Sequence, residues 1–198
     1  MTADNTRPAS GGFNDDHLRW KILSTEYLIR RPWLTARKDK VQLPDGRVHP
    51  EYYVLEYPGW VNVIAETKEG LLVLERQYRH GLGQVSTEIC AGCIEEGEDP
   101  LTAAQRELWE ETGYTGGRWT LLTTLSPNAS AMNNLSYSFL AQGVEQTSTQ
   151  HLDPNEDIHV FLATKENTLN MLRQGQFLQA LMVAPLWQFF AEYTDLLK

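Results

Sequence analysis

The 198-residue sequence has only two cysteines and no long apolar run, and its 26 acidic residues outnumber its 17 basic ones. Nucleic acids and anionic membranes are bound by clustered Lys and Arg, so a net charge of -9 argues against either partner. No stretch approaches the length of a membrane span, and the first residues lack the apolar segment of a signal peptide. We therefore expect a cytoplasmic protein without nucleic-acid or membrane partners.

The two cysteines lie close together, as Cys90 and Cys93 in the sequence CAGC. A zinc site built from cysteines needs a second pair, which the chain lacks. A thioredoxin-like redox pair needs a helix directly after the motif, whereas the acidic loop IEEGED follows here. Two small residues in a tight turn explain the pair better than either kind of site.

The chain divides into three parts by composition and pattern. Residues 1–16 are rich in Asn, Asp, Gly and Ser and are predicted to be a flexible tail. Residues 17–57 contain alternating and β-branched segments around a PDG turn, which predicts a small antiparallel β unit. Residues 58–198 combine further strand patterns with helical ones. This combination predicts an α/β fold, with a mixed sheet sandwiched between helices.

The most informative stretch is the helical segment 100–112, which begins with proline and is followed by glycine. Three of its glutamates, Glu107, Glu110 and Glu111, fall within an arc of about 100° on one side of the helix. Like charges at this spacing repel by roughly 0.2–0.5 kcal/mol per pair, so a bound cation would explain them. Grouped carboxylates suit Mg²⁺ or Mn²⁺. A solvated acidic face is the alternative.

The spacing of residues around this helix decides between the two interpretations. The stretch from Gly92 to Tyr114 fits the pattern GX5EX7REUXEEXGU at every fixed position, where U is a bulky apolar residue. A chance match in a chain of this length has a probability on the order of one in ten million. The chain therefore resembles the Nudix hydrolase family. The segment 71–114 also resembles the branch that hydrolyses ADP-ribose and nucleoside diphosphate sugars.

The resemblance implies a fold, a reaction and an assembly. The fold is the Nudix α/β/α sandwich, and residues 58–198 would form this catalytic domain. In the reaction, water attacks the pyrophosphate of ADP-ribose or of a nucleoside diphosphate sugar, releasing a nucleoside monophosphate and a sugar phosphate. The N-terminal unit of this branch crosses to the other subunit of a homodimer, so residues 17–57 are assigned to dimerisation and substrate binding. Another nucleoside diphosphate derivative, such as a dinucleotide, is an alternative substrate, and a non-catalytic nucleotide-sugar sensor is an alternative function.

The residues assigned to metal binding offer oxygen ligands at or near the acidic helix: the Ala91 carbonyl, Glu107, Glu110 and Glu111. Divalent ions held there would neutralise pyrophosphate charge and lower the pKa of the attacking water. Glu110 is therefore assigned to catalysis as well. Arg106 lies one turn before Glu110 and joins the catalytic group, because it can hold a carboxylate in position by two hydrogen bonds.

The residues assigned to the substrate lie outside the helix. Arg76 and Arg79 precede the metal-binding loop and are expected to grip the phosphates, with a surface position on the strand as the alternative for each. Glu88 matches the acidic residue that the family places before this loop, where it would support the metals. Trp33 stands where related enzymes stack an aromatic ring on the nucleobase, with packing inside the β unit as the alternative.

The catalytic base is the assignment in which this chain departs from the family. Many relatives hold the base in a late acidic loop, at the position where this chain has Pro154. Proline offers no side-chain proton acceptor, so the flanking Asp153 and Glu156 are the candidates. We favour Glu156, because its longer side chain reaches further and its position matches an acidic one in the branch.

Overall fold

A computed structural model describes residues 14–197 of the chain as two compact units. The smaller unit contains the described residues up to Tyr57 together with Asn128–Asn133, a later segment that the sequence pattern did not assign to it. The larger unit contains Pro58–Pro127 and the residues from Asn134 onward. Most of the predicted flexible tail, residues 1–13, lies outside the described residues, and Asp16–Leu18 form a single 3-10 turn.

The smaller unit is the predicted antiparallel sheet, with three strands in the order β1-β2-β3. Its strands are β1 Lys21–Arg31, β2 Leu34–Gln42 and β3 Val48–Glu56. Asp39 of β2 is buried, and its carboxylate accepts hydrogen bonds from Thr25 Oγ1 of β1 at 2.7 Å and from Arg37 Nε of β2 at 3.0 Å. Strand β1 is exposed along its whole length.

The larger unit is a seven-stranded sheet with helices packed on both faces. Its elements are β4 Trp60–Thr67, β5 Leu72–Arg79, β6 Gln84–Glu88, β7 Cys90–Cys93, α1 Pro100–Thr112, β8 Tyr114–Leu125, β9 Ser136–Gln146, β10 Ile158–Ala163, α2 Lys165–Arg173 and α3 Ala180–Glu192. The sheet order is β10-β5-β4-β9-β8, with β6 beside β5 and β7 beside β4. The β4–β9 pair is parallel and the others are antiparallel. This confirms the predicted α/β/α sandwich.

Each face of the larger sheet has its own hydrophobic core. On one face, Ala104 and Leu108 of α1 pack against the central strands in a cluster that includes Val73. On the other face, α2 and α3 cover a cluster that includes Leu72 and Leu74. Successive residues of a strand point to opposite faces, so β5 supplies both cores in alternation.

Helix α1 has the bounds that the sequence predicted, because a short-range signal marks each end. The Asp99 carboxylate caps the start by accepting a hydrogen bond from the Leu101 N–H at 3.0 Å, and Pro100 takes a first-turn position that needs no donor. Gly113 ends the helix with a φ of +76°, and a Cβ there would lie 2.2 Å from the Ser148 carbonyl oxygen. Only glycine can end the helix in this way.

Among residues 14–197, no helix is both long enough and apolar enough to span a membrane.

Candidate active site

Two carboxylates of α1 lie against the backbone of β7. The Glu107 carboxylate approaches Gly92 so closely that a Cβ built at Gly92 would lie 2.0 Å from Glu107 Cδ. The Glu111 carboxylate accepts a hydrogen bond from the backbone N–H of Ala91 at 3.0 Å. Gly92, the first residue of the sequence pattern, must therefore be glycine, because any side chain there would collide with the Glu107 carboxylate. The structure brings Glu107 and Glu111 to the segment whose carbonyl was assigned to a metal.

Arg106 joins this helix to the loop before it. Its Nη1 donates to the carboxylates of Glu107 and Glu110, at 2.9 Å each. Its other nitrogens donate to the Glu98 carboxylate at 3.0 Å and to the Cys93 carbonyl at 2.9 Å. One guanidinium therefore fixes two glutamates of the helix relative to the loop.

Burial makes the clustered carboxylates costly to ionise in the absence of a cation. Burial raises the pKa of Glu107 to about 7, although the charge of Arg106 opposes the shift. The pKa of Glu111 is also raised, first by burial and then by the negative charge of Glu107. A divalent cation would supply the positive charge that the protein does not, and the oxygen atoms present suit such an ion.

Arg79 lies near this cluster and is paired with Glu88. Its Nε donates to both carboxylate oxygens of Glu88, at 2.9 and 3.1 Å, and its Nη2 lies 2.5 Å from Oε2. The Glu88 side chain is 1% exposed, whereas that of Arg79 is 31% exposed. Glu88 thus holds one side of a guanidinium whose remaining surface is open to an anion.

Arg76 lies on the opposite face of the sheet from Arg79. It pairs across the sheet with Thr87 of β6 and His159 of β10, and it lines a groove that includes Met171 of α2. The two arginines are three positions apart on β5, so alternation separates them. The structure therefore brings Arg79 to the glutamates and places Arg76 among the helices of the other face.

We expect Arg79→Ala to destabilise the protein by about 3 kcal/mol, because it leaves the buried Glu88 carboxylate without its charged partner and with only the long hydrogen bond from Gln77. The matched control is Arg76→Ala, which removes an exposed arginine of the same strand and should change stability by less than about 0.5 kcal/mol. Urea unfolding curves measure both values. Adding Glu88→Gln to Arg79→Ala should recover part of the loss, and equal unfolding midpoints for the two single variants would contradict the pairing.

The loop between β9 and β10 is tied to the end of α1. The His151 N–H donates to the Glu110 carbonyl at 2.7 Å. The Gln150 side-chain amide donates to the carbonyls of Glu111 at 2.7 Å and of Ile158 at 3.0 Å. The bonds to Glu110 and Glu111 satisfy carbonyl groups that a helix end leaves free, and the bond to Ile158 joins the loop to β10. Sequence reasoning missed Gln150, since a glutamine in a polar loop carries no signal until both of its acceptors are placed.

The tip of this loop carries the two candidate bases. The Glu156 carboxylate accepts a hydrogen bond from the Asp153 N–H at 2.9 Å, and the Glu156 N–H donates to the Asp153 carbonyl at 2.9 Å. The negative charge of Glu156 contributes to the raised pKa of both Glu107 and Glu111. The turn around Pro154 therefore brings the charge of Glu156 into electrostatic contact with the acidic cluster.

Trp33 lies on the turn between β1 and β2, and its side chain is 77% exposed. On β1, before this turn, the Arg30 guanidinium lies 3.6 Å from the centre of the Tyr27 ring. An indole with this exposure is free to contact a ligand or another chain.

The two cysteines lie in strand β7, not in the tight turn that the sequence suggested. Their register partners on β4 are Val63 and Trp60. Both thiols are free, with Cys90 buried and Cys93 half-buried. Small residues are needed here because β7 runs under the acidic helix, which the Gly92 contact also shows.

Comparison with known proteins gives relatives along nearly all of the described chain. The family profile described as the NUDIX domain matches residues 57–186, and that of the nucleoside diphosphate sugar hydrolase N-terminal domain matches residues 20–55. The chain is 30% identical over 164 residues to an ADP-ribose pyrophosphatase of Bacillus subtilis, covering 82% of this chain and 88% of that protein. It is 51% identical over 130 residues to an ADP-sugar pyrophosphatase of Mus musculus, covering 56% and 54%.

A solved structure shares the fold. The crystal structure of an ADP compounds hydrolase matches with a TM-score of 0.76 at 23% identity, covering 87% of this chain and 93% of that one. Together with the acidic helix and its loop, the match of the NUDIX profile to residues 57–186 shows that the chain belongs to the NUDIX family and is a Nudix hydrolase.

Proposed function

We propose that this Nudix hydrolase cleaves the pyrophosphate bond of ADP-ribose or a related nucleoside diphosphate sugar. The observation that carries the proposal is a pair of carboxylates, that of Glu107, whose side chain is 12% exposed, and that of buried Glu111, held against the backbone of Gly92 and Ala91. Two carboxylates held in this way can bind divalent cations, and the hydrolysis of a pyrophosphate requires such cations. The names of the relatives, an ADP-ribose pyrophosphatase and an ADP-sugar pyrophosphatase, support this substrate class.

The residues that would hold Mg²⁺ or Mn²⁺ are Glu107, Glu111, Glu110 and the Ala91 carbonyl. The metal, when bound, would neutralise the pyrophosphate and lower the pKa of the attacking water. Glu110 is the most accessible of the three glutamates, with 34% of its side chain exposed. Arg106 keeps Glu107 and Glu110 aligned, since it donates to both from one nitrogen.

The other assigned side chains act on the substrate and on the water. The open surface of Arg79 binds a phosphate oxygen, and Glu88 holds the guanidinium in place for that contact. Glu156 accepts a proton from the water as its oxygen attacks phosphorus and the pyrophosphate bond breaks. The products are a nucleoside monophosphate and a sugar phosphate. Exposed Trp33 is assigned to stacking on the nucleobase.

Turnover across a panel of compounds tests this function. ADP-ribose, several nucleotide sugars and dinucleotides are incubated with the full-length protein and Mg²⁺ or Mn²⁺, and a coupled phosphatase releases phosphate from the monoester products. We expect the highest kcat/KM for ADP-ribose or a nucleotide sugar. Preference for a dinucleotide would instead support the other substrate class. Tight binding of one compound without turnover of any would support a nucleotide-sugar sensor.

We further propose that the protein is a homodimer that uses the N-terminal sheet. The support is the exposure of apolar side chains along β1, an edge strand of the sheet, on which Ile22, Leu28 and Ile29 are 55%, 47% and 42% exposed. Exposed apolar side chains grouped along one strand indicate a site of association. A cytoplasmic location remains a prediction from the sequence.

Light scattering of the full-length protein should therefore give the mass of two chains. The double variant Ile22→Asp, Ile29→Asp places charges on the proposed interface and should give a single-chain mass. Val48→Asp is the matched control, since it charges an equally exposed position on β3, with 46% exposure. A native protein that is monomeric and fully active would overturn this assembly.

A further inference from the structure

A second group of buried ligand atoms lies next to the acidic pair of α1. It consists of Glu75 on β5, Cys90 on β7 and Glu111 on α1, and one ligand atom of each lies within 4.8 Å of the other two. All three residues are buried. Glu111 is shared with the proposed magnesium site, but Glu75 and Cys90 have no part in that site. Their presence requires another explanation.

Glu75 is buried without a partner for its charge. Its side chain is 0% exposed, and neither carboxylate oxygen has a hydrogen-bond partner among the described residues. Burying a carboxylate without such a partner costs several kcal/mol. The Arg79 guanidinium lies near Glu75 but gives its hydrogen bonds to Glu88. A bound cation would therefore stabilise the ionised form of the Glu75 carboxylate.

The positions of β5, β7 and α1 bring the side chains of Glu75, Cys90 and Glu111 together. Glu75 follows Val73 on the face of β5 that points to α1, and Cys90 belongs to the core formed with Leu108 of that helix. One oxygen of Glu111 is fixed by the Ala91 N–H, 3.0 Å away, and the Cys90 thiol contacts the same carboxylate. The cluster is thus positioned by the core packing of α1 and by the backbone of β7.

We propose that Glu75, Cys90 and Glu111 form a binding site for a thiophilic divalent cation such as Zn²⁺. One thiolate and two carboxylates are a ligand set that prefers Zn²⁺ to Mg²⁺. Ligand atoms around a tetrahedral zinc ion lie on the order of 3.5 Å apart, so small side-chain rotations close this group around an ion. The thiol proton passes to solvent as the sulfur–metal bond forms, and the fourth position is filled by water.

Occupation of this site inhibits hydrolysis, because Glu111 is then no longer free to hold Mg²⁺ in the proposed active site. The inhibition rests on the proposed function, whereas the binding itself does not. Mg²⁺ is not expected to bind this group of ligands, because it prefers oxygen ligands and one of the three ligands here is a thiolate.

Binding of Co²⁺ to the metal-free, full-length protein tests the site directly. Co²⁺ replaces Zn²⁺ in tetrahedral sites, and a cobalt–thiolate bond gives an absorption band in the near ultraviolet. We expect this band in the native protein, its removal by Zn²⁺, and its persistence in excess Mg²⁺. Cys90→Ser should abolish the band, while the matched control Cys93→Ser should keep it. Absence of the band from the native protein, or its persistence in Cys90→Ser, would overturn the site.

Glu75→Gln provides a second test that keeps the side-chain volume and replaces the unpaired carboxylate by an amide. We expect it to weaken Co²⁺ binding at least tenfold, and unchanged binding would overturn the site even where Cys90→Ser fails to fold. In the hydrolysis assay, Zn²⁺ should inhibit the native protein and Cys93→Ser more strongly than Glu75→Gln. Cobalt–thiolate binding without hydrolysis of any nucleotide would reject the proposed function and leave this metal site standing.

Discussion

Glu111→Gln should lower turnover of the preferred substrate by at least about a hundredfold. The substitution removes the charge of a proposed metal ligand and keeps its shape, so the defect should fall on the chemical step. The hydrogen bond from the Ala91 N–H has an acceptor in the amide as well, so the fold should be retained. Glu96→Gln is the matched control, because it neutralises an exposed glutamate in the loop before the same helix.

The same substitution should change how stability depends on pH in the metal-free protein. The pKa of Glu111 is raised in the folded state, so the unfolded chain ionises first as pH rises above the ordinary value of 4.5. Stability is therefore lost between that value and the raised pKa, and Glu107 adds a loss that extends to about pH 7. Glu111→Gln removes its own part of the loss and should be more stable than the native protein at pH 8.

Urea unfolding in a chelator at pH 5 and pH 8 measures this difference, and repetition with Mg²⁺ should stabilise the native protein more than the variant. A variant that retains full turnover would remove Glu111 from the metal ligands. A variant that needs metal in order to fold would contradict the repulsion on which the assignment rests.

Glu156→Gln should lower kcat by about two to four orders of magnitude with little change in KM, the usual contribution of a general base. The charge of Glu156 contributes to the raised pKa of Glu107 and Glu111, and its carboxylate accepts the Asp153 N–H at 2.9 Å. An amide oxygen can still accept that hydrogen bond, so the turn should keep its shape.

Asp153→Asn is the matched control from the same turn and should cost less than tenfold. A double variant with near-native turnover would mean that the metals and the glutamates of α1 activate the water unaided. A larger loss from Asp153→Asn than from Glu156→Gln would exchange the two roles.

The parts of the fold that the sequence predicted are those fixed by residues close together in the chain. Helix α1 was bounded correctly because Pro100 and Gly113 act within one turn of its ends. The Nudix fold followed from a 23-residue stretch that contains the helix and the loop before it, within which Gly92 contacts Glu107. The spacing of residues that are close in the chain was sufficient to predict the helix and the fold, without knowledge of contacts to distant residues.

The parts that the sequence did not predict depend on partners far along the chain. Asn128–Asn133 joins the smaller unit through long-range bonds such as that from the Leu55 N–H to the Ala131 carbonyl, 2.7 Å apart. Glu75 looks like an ordinary surface residue next to Arg76 until β6 and β10 cover both of its sides. Alternation separates Arg76 from Arg79, but only the packing of α1 shows which of the two meets the glutamates.

The alternation of side chains along strand β5 makes insertions and deletions within this strand unfavourable. Glu75 and Arg79 face α1, while Arg76 faces the other side, so inserting or deleting one codon within the strand would exchange the two sets. Charged groups would then enter the core beneath α2 and α3, and the acidic cluster would lose Arg79. Length differences among related genes should therefore fall in the flanking turns, at 68–70 and 80–83, and be absent between them.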